Sequence, residues 1–181
     1  MSRGTEIDKA ELLGERLVGG ATEAACIILE ELGKRYKIVI RNEESTPLFI
    51  IEVMVLYMHL VDRQVQAHLG PTNRDPFMDR FVETVLREST AGLASVPANN
   101  FGRTLRDVYN RRQMEYTKYR LLLPEKDGIL KNTLYWEFSK ILFGFVDDSS
   151  PVTLGSLNIL VAHVSSAMMN SVLKVEEVLQ S

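Results

Sequence analysis

The sequence predicts an all-α protein, a compact bundle of six or seven helices around one apolar helix at about 47–69. Three observations carry this. Helix start and stop signals recur along the chain. Apolar residues repeat at helical spacing in the long segments between them. The single strand-like run, 37–40, has no second run to pair with.

Taken in order, Thr5 with Asp8 three residues on resembles a capping box. It opens a helix that reaches about Leu32, where Gly33 supplies a stop. Gly19-Gly20 interrupts that stretch, which reads as two helices or as one helix pressed close to a neighbour. Residues 37–40 are expected to form an extended connector. Thr46-Pro47 joins a capping hydroxyl to a proline at the first helical position. This second helix ends at Gly70-Pro71. Asp75-Pro76 repeats the start signal for a third, with Phe77, Phe81, Val82, Val85 and Leu86 on one face, fading near Ser95. Asn99, Asn100 or Thr104 caps a fourth, which ends near Leu123 before Pro124. Asp127-Gly128 begins a fifth that continues to about Phe145. The last runs from Val152 to about Leu179, with Leu154, Leu157, Val161, Val164, Met168, Val172, Val175 and Leu179 on one face. Short connectors favour antiparallel neighbours. No repeat or long linker divides the chain, so residues 1–181 read as one domain.

Composition narrows the class. The 181 residues are 45% hydrophobic and 25% charged, as in a soluble globular domain. A net charge of -3 provides no overall basic field for nucleic acid or an anionic membrane. One cysteine, Cys26, excludes an internal disulfide, and residues 1–9 lack the apolar core of a signal peptide. Both point to the cytoplasm. Cys26 lies in the apolar run 24–29 and is expected to be an inert core residue. The most apolar window, 47–61, carries Glu52 and His59 and falls short of the ~20 residues of a membrane span. It is expected to be a buried helix of a soluble protein, with no membrane partner.

Phosphate-loop, dinucleotide-binding and nucleophile-elbow motifs are absent, as are His-Glu-x-x-His and Glu-x-x-His. No cofactor or metal is therefore expected. Two segments could carry function. On the helix at 47–69, successive residues stand ~100° apart, which puts Glu52, His59, Asp62, Arg63 and Gln66 on one stripe. Glu52 and His59 are two turns apart, about 10 Å, too far to share a metal ion. His59 with Asp62 or Arg63 is one turn apart, a spacing for an acid–base pair or a metal ligand pair. The simpler reading is that this stripe is the one helix face that reaches solvent or a groove, with His59 paired to Asp62, Arg63 or a residue on another helix and Glu52 paired to an arginine from elsewhere.

The second segment, 103–120, is basic inside an acidic chain. Arg103, Arg106, Arg111, Arg112, Lys118 and Arg120 outnumber Asp107 and Glu115 there. Together with Tyr116 these cations form a candidate partner surface, since Arg and Tyr anchor protein contacts and also stack on bases. The favoured function is a helical interaction protein without catalysis, self-associating as a two-fold dimer or meeting another protein partner. The last helix motivates the dimer, because Ile159, Ala162, Met169 and Leu173 give it a second apolar side. The alternative is a small-molecule or metal-binding protein, or an enzyme, that uses the stripe around His59. Nucleic-acid binding through 103–120 is the weakest of the three.

Overall fold

The computed structural model describes residues 3–36, 45–92, 98–122, 131–146 and 152–181, and among them no residue lies in a strand ladder. Helix α1 spans Arg3–Tyr36 and α2 spans Ser45–Gly92. Then come α3 (Ala98–Tyr116), α4 (Leu134–Phe143) and α5 (Leu154–Ala167). A π-helical segment, Met168–Leu173, and a six-residue helix α6, Val175–Gln180, extend α5. Counting that extension with α5, the described residues form five helical units, not six or seven. The predicted second and third helices are the two limbs of α2, joined directly across a kink at Gly70.

The merger has a local cause. Gly70 holds φ 69 and ψ 175, a left-handed value that costs only glycine nothing. Pro71 forces the residue before it out of helical geometry, so the first limb stops there. Pro71 is also a good first helical residue, having no N–H to leave unpaired, and the second limb restarts at once. The start at Asp75-Pro76 is therefore not used, and Pro76 lies inside the helix.

The first limb of α2 is the centre of the protein. Every residue from 51 to 62 is buried. Helices α1, α3, α4 and α6 all pack on α2. Phe49 meets Phe145 edge to face at 5.9 Å, tying the start of α2 to the chain leaving α4. By length and composition alone, Ser45–Thr90 and Leu154–Gln180 each suffice to cross a membrane. In the first, 72% of the most apolar window is buried, so the core itself uses that surface; in the second the share is 44%.

Helix α1 runs unbroken through Gly19-Gly20 and past Gly33 to Tyr36, and Thr5 lies inside it. Its buried face is Ala10, Leu13, Leu17, Ala21, Ala24, Ala25, Ile28 and Leu32. Cys26 falls off this face and is exposed, which corrects its placement in the core. An apolar run of six residues surrounds the helix, and only about half of it can face inward. The glycines show how closely α1 is packed. A Cβ on Gly14 would stand 2.8 Å from Thr84 Cβ, and one on Gly20 2.8 Å from Met168 Sδ. Gly19 has nothing within 4 Å. Gly14→Ala is thus expected to destabilise by about 1–3 kcal/mol through overpacking, and Gly19→Ala to stabilise by about 0.5–1 kcal/mol. Equal effects in urea denaturation would contradict this packing.

The later elements depart further from the sequence reading. Helix α3 ends at Tyr116, and the chain then turns and extends through Leu122. Leu134 N–H donates to Leu121 O (2.9 Å), so this exit segment is held against the start of α4. Helix α4 begins at Leu134 with Thr133 as its cap. The predicted start at Asp127-Gly128 lies outside the described residues, as do the connector at 37–40, the fade near Ser95, the stop at Leu123-Pro124 and the turn before Pro151.

The last helix is not regular. At Met168 it widens into π geometry, and Lys174 takes a left-handed φ of 49. A π turn advances less per residue than an α turn, which rotates the residues after it back toward the core. Met169 and Leu173 are consequently buried, whereas Val172, assigned to the inner face, is 37% exposed. Half of the second apolar side that motivated a dimer is therefore used within the protomer. Arg16 donates to Leu173 O (3.3 Å) and Lys9 to Leu179 O (3.2 Å). These cations satisfy carbonyls at the negative ends of the two terminal segments.

Candidate functional site

The polar stripe of α2 faces α3. Contacts advance in the same direction along both helices, from Glu52 with Arg112, through His59 with Gln113, to Arg63 with the chain leaving α3. All but Gln66, which is exposed, are buried or half-buried. A charge there must be paired to be tolerated.

Each carboxylate is taken by an arginine fork. Arg112 donates to Glu52 through Nε (2.9 Å) and Nη2 (2.8 Å), and its third nitrogen donates to Glu115. Arg74, just past the kink, donates to both oxygens of Asp62 at 2.6 Å and to Asp75 at 2.6 Å. The hydrogen bond to Asp62 is the main reason that the Arg74 proton affinity is raised. The Asp62 bridge also ties the two limbs of α2 across Gly70. Arg63 donates to Tyr119 O at 3.0 Å and to Arg120 O, and so clamps the exit from α3.

His59 stands differently. Its Nδ1 is 2.9 Å from Gln113 Oε1, and its ring meets Tyr116 edge on at 5.3 Å. Burial pushes the neighbouring Tyr109 phenol up to about 12, and the Gln113 amide nitrogen is buried without a hydrogen-bond partner. Burial lowers the His59 pKa from 6.5, outweighing the hydrogen bond to Gln113, so the ring is neutral at pH 7. His59 Nε2 is buried without a partner, and so is the Tyr116 hydroxyl, whose pKa burial pushes well up.

The residues His59 and Tyr116 also help to line a cavity of about 370 Å³, with Asp62, Arg63, Gln66, Arg74, Thr117, Tyr119 and Arg120, although these two atoms are themselves buried beneath its surface. That volume is in the range of small-molecule sites. Three guanidinium groups meet one carboxylate there. Asp62 and Arg74 satisfy each other, and Arg63 is bound to carbonyls. Arg120 has no carboxylate partner among the described residues. A larger groove, about 1190 Å³, runs beside Ile7, Leu69 and Phe77. Its rim carries both signs of charge, and Arg80 there is already held by Glu11 and Glu83. It has no buried ring nitrogen or phenol awaiting a partner.

Of the sequence candidates, His59, Asp62, Arg63 and Gln66 line the smaller cavity, while Glu52 lies away from it on Arg112. The acid–base pairing of His59 with Asp62 is not formed, since Gln113 and Arg74 take the two groups separately. With both oxygens of Glu52 and Asp62 engaged, neither is a free base. Among the described residues no three His, Cys, Asp or Glu side chains stand together to hold a metal.

The candidate partner surface divides. Arg103, Arg106, Arg111, Lys118 and Arg120 are exposed. Tyr116 is 1% exposed and belongs to the core, and Arg112 points inward to Glu52, which removes both from that surface. Arg120 turns out to rim the cavity. Arg74, Gln113, Thr117 and Tyr119 were not found from the sequence. The only clue was the need of Asp62 and Glu52 for cations. No protein family, curated protein or solved structure matches the chain. Fold and site thus define a helical protein with an arginine-rimmed polar cavity among its described residues.

Proposed function

We propose that the protein binds a small anionic molecule in the cavity between the first limb of α2 and the end of α3. The observation that carries this is the excess of positive charge around the cavity, where Arg63, Arg74 and Arg120 meet the single carboxylate of Asp62 and Arg120 has no carboxylate partner among the described residues. The guanidinium of Arg120 attracts and orients an oxyanion.

The test is thermal shift and calorimetry with inorganic phosphate and a series of short carboxylates. A ligand at a hundred times its Kd is expected to add about 2.7 kcal/mol of stability. Arg120→Ala, on the exposed rim, is expected to keep the melting temperature and weaken binding about tenfold or more. If no anion shifts the wild type, the proposal fails.

A second reading keeps the interaction protein. It is favoured by Met114 and Ile159, which are 73% and 70% exposed on α3 and α5. Apolar side chains so exposed gain most from a partner surface. A monomer mass independent of concentration in sedimentation would remove self-association.

A further inference from the structure

Two solvent faces of the molecule match each other in charge and spacing. Resting on the second reading, self-association, we infer that the outer face of α1 docks antiparallel on the outer face of α3 of a second copy of this chain.

The α1 face is acidic. Asp8, Leu12, Glu15, Gly19 and Glu23 are all exposed, and steps of ~100° per residue place them within about 80° of one another. Asp8, Glu15 and Glu23 have no ion-pair partner among the described residues. The α3 face is basic. Arg103, Asp107, Arg111, Met114 and, in the turn that follows the helix, Lys118 are exposed within a sector of the same width. Arg103 and Lys118 have no carboxylate partner among the described residues, and Arg111 reaches only Glu52, at 3.7 Å. Both helices pack on α2 through their other sides.

The spacing selects the partner. The three acids of α1 stand 7 and then 8 residues apart, and the three cations of α3 stand 8 and then 7 apart. Run antiparallel, Asp8 falls opposite Lys118, Glu15 opposite Arg111 and Glu23 opposite Arg103. These pairs extend over about 22 Å, at the ~1.5 Å rise of a helix. The same register sets Leu12 (39% exposed) against Met114 (73% exposed), between two of the ion pairs. Water is thereby removed from an apolar side chain that nothing covers in the protomer. Gly19, where an added Cβ would meet nothing within 4 Å, falls opposite Asp107, the one exposed acid of the basic face. No like charges meet. Because the two faces differ, each copy gives one and receives the other.

The experiment is sedimentation velocity of the whole chain across protein concentration, at low and at high salt. The wild-type mass is expected to grow with concentration, and less so at high salt, since the paired charges are exposed. Arg103→Glu/Lys118→Glu reverses the basic face, and Asp8→Lys/Glu23→Lys reverses the acidic one. Arg111 is kept because it stands near the buried Glu52. Each variant alone sets like charges against each other and is expected to associate about tenfold or more weakly. All four positions are exposed, so circular dichroism should show both variants folded. Mixed in equal amounts, the two variants should associate again, because each reversed face then meets a face of opposite sign.

Association of either variant at wild-type strength would overturn this pairing of faces while leaving self-association intact. A mixture that associates no better than the variants alone would do the same. A wild type that stays a monomer at every concentration at low salt would remove the proposal together with the reading beneath it.

Discussion

Arg112→Ala is expected to destabilise the protein by about 3–5 kcal/mol, the largest effect of any single surface-to-core ion pair here. Glu52 is 5% exposed and sits in the most deeply buried stretch of α2. Both of its oxygens receive hydrogen bonds from Arg112. Arg111 Nη2, at 3.7 Å and on an exposed side chain, is a weak substitute. Removing Arg112 therefore leaves a buried carboxylate without compensation. The pair itself is worth less than this, since two charges lose hydration when they are buried together. The double variant Glu52→Leu/Arg112→Leu should recover most of the loss. A double-mutant cycle in chemical denaturation measures both quantities. A single variant within half a kcal/mol of wild type would mean that water reaches Glu52.

Met54→Ala is expected to cost about 2–5 kcal/mol. Met54 is 0% exposed and lies opposite the polar stripe. The loss combines the transfer energy of the removed atoms with the cavity they leave. Ile159→Ala is the matched control. At 70% exposure Ile159 has little to lose, and its variant should stay within about half a kcal/mol of wild type. A small loss at Met54 would show that the first limb of α2 is not the centre of the core.

The two variants also separate stability from binding. Met54 does not line the cavity, so a destabilised but folded Met54→Ala should bind small acids as the wild type does. Arg120→Ala should do the reverse, keeping stability and losing affinity.

Local sequence signals determined the helical class, the start near Thr46-Pro47 and the break at Gly70-Pro71. These are backbone effects of proline, glycine and capping side chains, and they act within a turn. Helical periodicity likewise fixed the stripe of Glu52, His59, Asp62, Arg63 and Gln66 before any contact was known. Only the tertiary structure decided what each member of that stripe does. The partner of Asp62 is 12 residues away across the kink, and the partners of His59 and Glu52 are 54 and 60 residues away. No local spacing encodes such pairs. Packing also decided which side of α1 is buried, leaving Cys26 outside, and the π segment changed the phase of the last helix so that Met169 and Leu173 turned inward. A helical repeat gives the relative angles of side chains along one helix. The direction in which the core lies, and any shift of that repeat, depend on the other helices.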